Sequence, residues 1–245
     1  MKKVSLILMA SLLLASTTLV RAAIARWTFE VNTPADLNNS TTIGPISADE
    51  GAGTASGFHA SALSGWTTPA GNGSANSLNV DHWSVGDYFQ FRVSTVGYTD
   101  IGVSWSQTSS STGPRDFVLQ YSTDGVNFFQ FGSPYTVLEN GGSPNPSWNS
   151  STASSAYNYS VDLSSVGALD NAPDVYFRLV DGSTTAAGGG TVGTGGTSRI
   201  DDFTVVPEVQ HYALFCALGL IGIAAGREIR RRLRTSDQSS VIGNQ

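Results

Sequence analysis

Tyr88-Phe89-Gln90-Phe91-Arg92-Val93, residues 88–93, sets apolar side chains at 89, 91 and 93 against polar or amphipathic ones at 88, 90 and 92. Successive side chains of a strand point to opposite faces, so this stretch reads as part of a strand over 88–94 with one face in a core. The same alternation returns at Phe117, Leu119 and Tyr121 against Val118, Gln120 and Ser122. Directly after it, Ser122-Thr123-Asp124-Gly125 is a hairpin signal, because Gly accepts a positive φ without a Cβ clash. Residues 175–180 are apolar on both faces apart from Arg178, which points to a central strand covered on two sides.

Working outward, further strands are expected at 25–30, 101–107, 128–131, 157–163 and 200–205, separated by Gly, Ser, Asn, Asp and Pro clusters. No window reads as an amphipathic helix. The expected fold is all-β, an antiparallel β-sandwich of jelly-roll form, with an immunoglobulin-like strand order as the alternative. Ile200 and Phe203 cannot share a face of a regular strand, so either both faces are partly buried there or a bulge resets the alternation. Two stretches, 108–113 and 183–198, are low in complexity, and the glycine-rich second one reads as a mobile loop between two strands.

Composition narrows the chemistry. Between residues 26 and 206 there are 16 Asp and Glu against five Arg and no Lys, a net charge of −11 that disfavours nucleic acid. The lone cysteine, Cys216, lies in a C-terminal apolar run, so the body has neither disulfide nor thiolate chemistry. His59 and His82 show no metal-type spacing, and no Gly-x-Ser-x-Gly elbow occurs. The acidic pairs Asp49-Glu50 and Asp201-Asp202 leave a carboxylate hydrolase open by residue type, although neighbours on a strand face opposite ways. No catalytic residue is assigned. Trp66 and Trp148 sit in polar loops and are the candidate glycan contacts, with structural packing as the alternative; Trp27 and Trp105 read as core or sheet-face residues.

The chain ends carry targeting patterns. Lys2 and Lys3, an apolar run over 4–14 and a small-residue zone have the layout of a signal peptide over 1–25, cleaved after Ala22 or Ala25. The body then spans 26–205. Residues 212–226 form an apolar or small-residue run that rises about 22 Å as a helix, short for a transmembrane span. Arg227, Arg230, Arg231, Arg232 and Arg234 follow it and should stay cytoplasmic, with the acidic body outside.

The order Val206-Pro207-Glu208-Val209, short apolar run, arginine cluster over 206–234 resembles the PEP-CTERM sorting tail of Gram-negative bacteria. It departs from that pattern in Val209, where the family usually has a second Pro, and in the polar tail 235–245. The resemblance implies export through the Sec machinery and signal peptidase, a transient inner-membrane anchor, and processing by an exosortase near Pro207, Glu208 and Val209. It further implies a non-catalytic protein of the cell surface or extracellular matrix, with a carbohydrate-binding module for exopolysaccharide or environmental glycans as the alternative. Separately, Arg199-Ile200-Asp201-Asp202 resembles the closing strand of secreted jelly-roll modules, carbohydrate-binding ones included. That resemblance implies a structural calcium ion held by Glu30 with Asp201 or Asp202; the alternative is a pairing of these surface carboxylates with Arg199. No other cofactor is expected.

Overall fold

The computed structural model describes residues 22–35 and 37–207. Most of the signal segment, Glu208, Val209, the run 212–226, the arginines at 227, 230, 231, 232 and 234 and the tail 235–245 lie outside the described residues.

Twelve strands follow one another: β1 (Ala25–Trp27), β2 (Thr42–Ser47), β3 (Glu50–Gly51), β4 (Gly53–Phe58), β5 (Leu78–Val80), β6 (Tyr88–Val93), β7 (Ile101–Ser109), β8 (Asp116–Ser122), β9 (Phe129–Thr136), β10 (Asn158–Asp162), β11 (Val175–Asp181) and β12 (Ser198–Pro207). They form two sheets with antiparallel pairing throughout. The first runs β10-β7-β12-β1-β3, with β5 also paired to β12; the second runs β2-β4-β6-β11-β8-β9. Only β8 and β9 are consecutive strands within one sheet, so every other connection between the twelve strands carries the chain across the sandwich.

The alternation at 88–93 is realised as expected, with Phe89, Phe91 and Val93 buried and Tyr88, Gln90 and Arg92 turned out. Phe91 of the second sheet stacks on Phe203 of the first, with centroids 3.7 Å apart and planes 3° apart, and Trp27 meets Phe91 edge-on at 5.1 Å. These rings join the sheets at the centre of one core that also holds Phe89, Phe117, Phe177, Ile101 and Leu119. Burial of large aromatic surfaces is the main stabilising term of such a fold.

The bulge anticipated near Ile200 exists. Asp201 pairs with Ser106 and Thr204 with Ser104, so β12 carries one residue more than β7 there, and Asp202 has φ 56°. The extra residue lets Ile200 and Phe203 both enter the core while Asp201 and Asp202 stay out of it. The hairpin signal also holds: Gly125 has φ 71°, and the Ser122 hydroxyl accepts the Gly125 N–H at 2.9 Å.

Two expectations need correction. The stretch 183–198 is not a free loop; it packs on 108–114 through backbone bonds such as Gly188 N–H to Ser111 C=O and Gly193 N–H to Thr112 C=O, each at 2.9 Å. Its glycines make that approach sterically feasible, since a Cβ at Gly196 would lie 1.9 Å from the Thr112 carbonyl oxygen. Likewise β11 is central in its sheet but is covered on one side only: Tyr176 and Arg178 alternate outward between buried Val175, Phe177 and Leu179.

Candidate functional site

The outward face of the second sheet gathers side chains that the sequence scatters. Cross-strand register sets three rows on it. One row is Phe58-Tyr88-Val180-Val118, the next Ser56-Gln90-Arg178-Gln120-Gln130, and the third Thr54-Arg92-Tyr176-Ser122. At the usual interstrand spacing the five-residue row is roughly 19 Å long, enough for a short oligosaccharide. No carboxylate stands in any of the rows.

Rings and guanidinium groups on this face are in mutual contact. Phe58, 40% exposed, stacks on Tyr88 at 5.7 Å. The Arg178 guanidinium lies 3.9 Å from the Tyr88 ring centroid and 3.4 Å from that of Phe128, which folds over from the β8–β9 turn. Phe128 meets Tyr176 edge-on at 6.4 Å, and Arg92 sits 5.6 Å over the Tyr176 ring. Arg178 Nε donates to Gln90 Oε1 at 2.8 Å, and Gln90 Nε2 donates to the Ser56 hydroxyl at 3.3 Å. Burial between rings lowers the Arg178 pKa from its ordinary value, and a guanidinium stays protonated regardless.

The neighbouring carboxylates are already engaged. Asp174 pairs with Arg92. Asp124 accepts the N–H groups of Val126 and Asn127, both at 2.8 Å, and the Asn127 side-chain amide at 2.7 Å. Those bonds, the Asn127 amide first, hold its pKa well below the usual carboxylate range. What the face can do is offer ring surface, side-chain amides and one exposed-edge cation to a hydroxyl-rich ligand.

Trp66 and Trp148, the expected glycan contacts, are not on any open face. Trp66 is 0% exposed: its indole packs against Phe89 and His59, its Nε1 donates to the Ser40 carbonyl, and Gly57 makes room for it. Trp148 is 5% exposed, donates to the Ala70 carbonyl and meets Tyr157 edge-on at 5.4 Å. Both are packing residues, because a polar loop sequence can fold its one large ring inward while its hydroxyls face water. Of the residues that do line the open face, Phe58, Tyr88, Phe128 and Tyr176, the sequence signals only Tyr88 and Tyr176, by their outward parity in their strands.

Glu30, Asp201 and Asp202 lie near the closing strand but in separate arrangements. Glu30 accepts the Asn76 N–H at 2.6 Å, and Asp202 pairs with Arg26 rather than Arg199. Asp201 is 2% exposed; its Oδ2 accepts from Asn72 N–H and the Ser74 hydroxyl at 2.9 and 2.7 Å, while its Oδ1 is buried with no partner. Burial raises the Asp201 pKa to about 6. A polar pocket of about 270 Å³ adjoins it, lined by Asn72, Ser74, Ser106, Asn158 and Asp202 among others. Among the described residues no three His, Cys, Asp or Glu side chains form a metal-holding group, so the predicted carboxylates do not make a shared cage. The unpartnered Asp201 oxygen, with the Ser74 hydroxyl 3.2 Å from the Asn76 carbonyl, is the part of the arrangement that suits a hard cation.

The histidines do not assemble a relay. The Ser64 hydroxyl and an Asp87 carboxylate oxygen both face the same His59 nitrogen, Nδ1, at 3.0 and 3.6 Å, and all three residues are buried. Burial pushes His59 down to about 4, so it is a neutral core residue at neutral pH.

No family model matches the chain, and no curated protein does. Solved structures with some likeness include a family 61 carbohydrate-binding module in complex with β-1,4-galactotriose, 13% identical with a TM-score of 0.36, covering 64% of this chain and 88% of that one. A family 22 xylan-binding domain from Paenibacillus barcinonensis is 12% identical with a TM-score of 0.38, covering 76% and 100%. The K3 cleaved adhesin domain of Lys-gingipain from Porphyromonas gingivalis is 14% identical with a TM-score of 0.41, covering 76% and 99%. Likenesses this distant assign the chain neither a ligand nor a role.

Proposed function

We propose that this is an exported, non-catalytic polysaccharide-binding protein whose sandwich, wound as a jelly roll, receives glycan on the outward face of β4, β6, β11 and β8. The observation that carries the reading is the three-row face itself, where Phe58, Tyr88, Phe128 and Tyr176 flank a row of Ser56, Gln90, Arg178, Gln120 and Gln130. Pyranose rings pair an apolar face with a rim of hydroxyls, and this surface alternates ring edges with amide donors and acceptors to suit both. Its flanking carboxylates are engaged by Arg92 and by the turn, which leaves no free acid–base pair beside a bound sugar.

The test is binding of the full-length protein to a panel of soluble polysaccharides, read by affinity electrophoresis. Retardation by at least one glycan is expected, with a loss of tenfold or more in Phe58→Ala and Tyr88→Ala and none in Trp148→Ala. A protein retarded by no glycan, or retarded equally when Tyr88 is Ala, overturns the reading.

Delivery and the metal are parts of the same proposal. The Sec machinery takes the chain through the inner membrane, and the segment 206–234 serves as a sorting signal that an exosortase reads and cleaves before the body reaches the envelope or matrix; the three-part layout of that segment supports this. The last described strand ends at Pro207, where the sorting motif begins, so cleavage there spares the body. Asp201 serves as the anchor of a structural calcium ion, which its unpartnered buried oxygen supports.

A further inference from the structure

The face proposed to bind glycan has a charge pattern of its own, and a role for that pattern presupposes glycan binding there. Of the five body arginines, Arg26, Arg92 and Arg115 pair with carboxylates. Arg178 and Arg199 have no such partner among the described residues, and of these two Arg178 stands at the centre of the five-residue row. Two rings clamp its plane, at 3.4 and 3.9 Å, and its Nε is fixed on Gln90. The two terminal nitrogens are therefore presented as a rigid fork, the geometry that matches a carboxylate with two parallel bonds. On either side in the row stand uncharged groups only: Ser56 and Gln90 one way, Gln120 and Gln130 the other.

The rest of the body opposes dense polyanions. Its net charge is −11, and the Debye length of about 8 Å at physiological salt is shorter than the row. One carboxylate seated on Arg178 feels mainly that guanidinium, whereas further carboxylates along the same strand would fall on neutral amides or on the acidic surface beyond. We propose that the face selects polysaccharides carrying isolated carboxylates on an otherwise uncharged backbone, with Arg178 binding the acid and the glutamines binding the flanking sugar hydroxyls.

The experiment measures the affinity of the full-length protein for two series of graded charge, polygalacturonate at increasing methyl esterification and dextran at increasing carboxymethylation. Expected is a maximum at sparse charge in at least one series, tenfold or more above both the uncharged and the fully charged polymer at 0.15 M salt. Arg178→Gln should flatten that maximum, and Arg178→Lys should restore only part of it. Thermal melts of both variants check that Phe128 and the turn remain in place. Affinity that rises steadily with charge, or no binding in either series, overturns the inference. Affinity independent of charge and unchanged by Arg178→Gln, yet lost in Tyr88→Ala, overturns the inference and leaves the glycan reading standing.

Discussion

Asp181 ends the central strand of the second sheet, and it is 2% exposed beside the equally buried Asp87. Its backbone is held by bonds of its N–H to the Asp87 carbonyl and of its carbonyl to the Gly86 N–H, both at 2.9 Å, and its Oδ1 accepts the Ser183 N–H at 3.3 Å. Burial first, and the charges of Asp87 and Asp116 after it, push its pKa from 3.8 up to about 7. A carboxyl whose folded pKa is raised stabilises the fold in its protonated form. That contribution is complete below the unfolded value and is lost as pH rises through the folded one. Three units at 1.36 kcal/mol each bound the loss at about 4 kcal/mol between pH 4 and pH 8. His59 acts with the opposite sign: its pKa is lowered by burial from 6.5 to about 4, so its contribution is present above 6.5 and lost as pH falls through 4. The two slopes oppose each other between pH 4 and 6.5, which makes the native protein's stability there flatter than either group alone would. Asp181→Asn removes one of them. Urea unfolding followed by tryptophan fluorescence at pH 4.5, 6 and 8 should show the variant gaining on the native protein by up to about 3–4 kcal/mol across the range. Parallel curves for the two proteins would show that Asp181 is hydrated, and the reasoning from burial would fail.

Gly57→Ala, whose Cβ would stand 2.3 Å from the Trp66 ring, should lower stability by about 1–3 kcal/mol in denaturant titration. Trp66→Ala should cost about 3–5 kcal/mol by the same measurement, a far larger effect than an exposed sugar platform would show on truncation. Millimolar calcium should raise the Tm of the native protein and leave Asp201→Asn unmoved; equal shifts in both would remove Asp201 as the anchor. The intact mass of the protein from its host's surface and medium should end near Pro207 to Val209, while a mass that keeps 212–245 would make that segment a permanent anchor.

Strong strands are readable because their residues announce themselves: β6, β8 and β11 combine aromatic or β-branched side chains with a period of two, and the sequence places them nearly to the residue. The strands it does not disclose, β2, β3, β4 and β5, have sequences such as Thr-Ile-Gly-Pro-Ile-Ser and Gly-Thr-Ala-Ser-Gly-Phe, with poor intrinsic strand character. They form because neighbours impose the ladder, β4 lying along the whole of β6. β9 runs past the expected end at residue 131 even though Pro134 argues against a strand, because an edge strand tolerates a proline facing solvent. The outward parity of Tyr88, Gln90 and Arg92 is legible in the sequence. Its meaning is not, since the rows need Phe58 and Tyr176 beside that strand, and strand adjacency between distant segments leaves no mark in local sequence.

The two outer faces of the sandwich are used differently, and this fixes where a ligand can go. On the first sheet, Ser106 and Thr108 point away from the core yet are buried, because the segments 70–77 and 138–157 lie over them. Trp148 and Tyr157 are the apolar underside of that cover, and the Asp201 pocket is the polar gap left within it. Among the described residues the second sheet has no such cover beyond Phe128 and the β8–β9 turn, and its outward rings remain in part open. Pro207, the last described residue, pairs with Ile101 and so belongs to the first sheet, the covered one. A protein tethered beyond Pro207 would be attached through a strand of the first sheet, whereas the Arg178 face belongs to the second. Tethering and glycan capture then need not compete for one surface, and a protein held at the membrane should bind polysaccharide with the same dependence on Tyr88 and Arg178 as one already released.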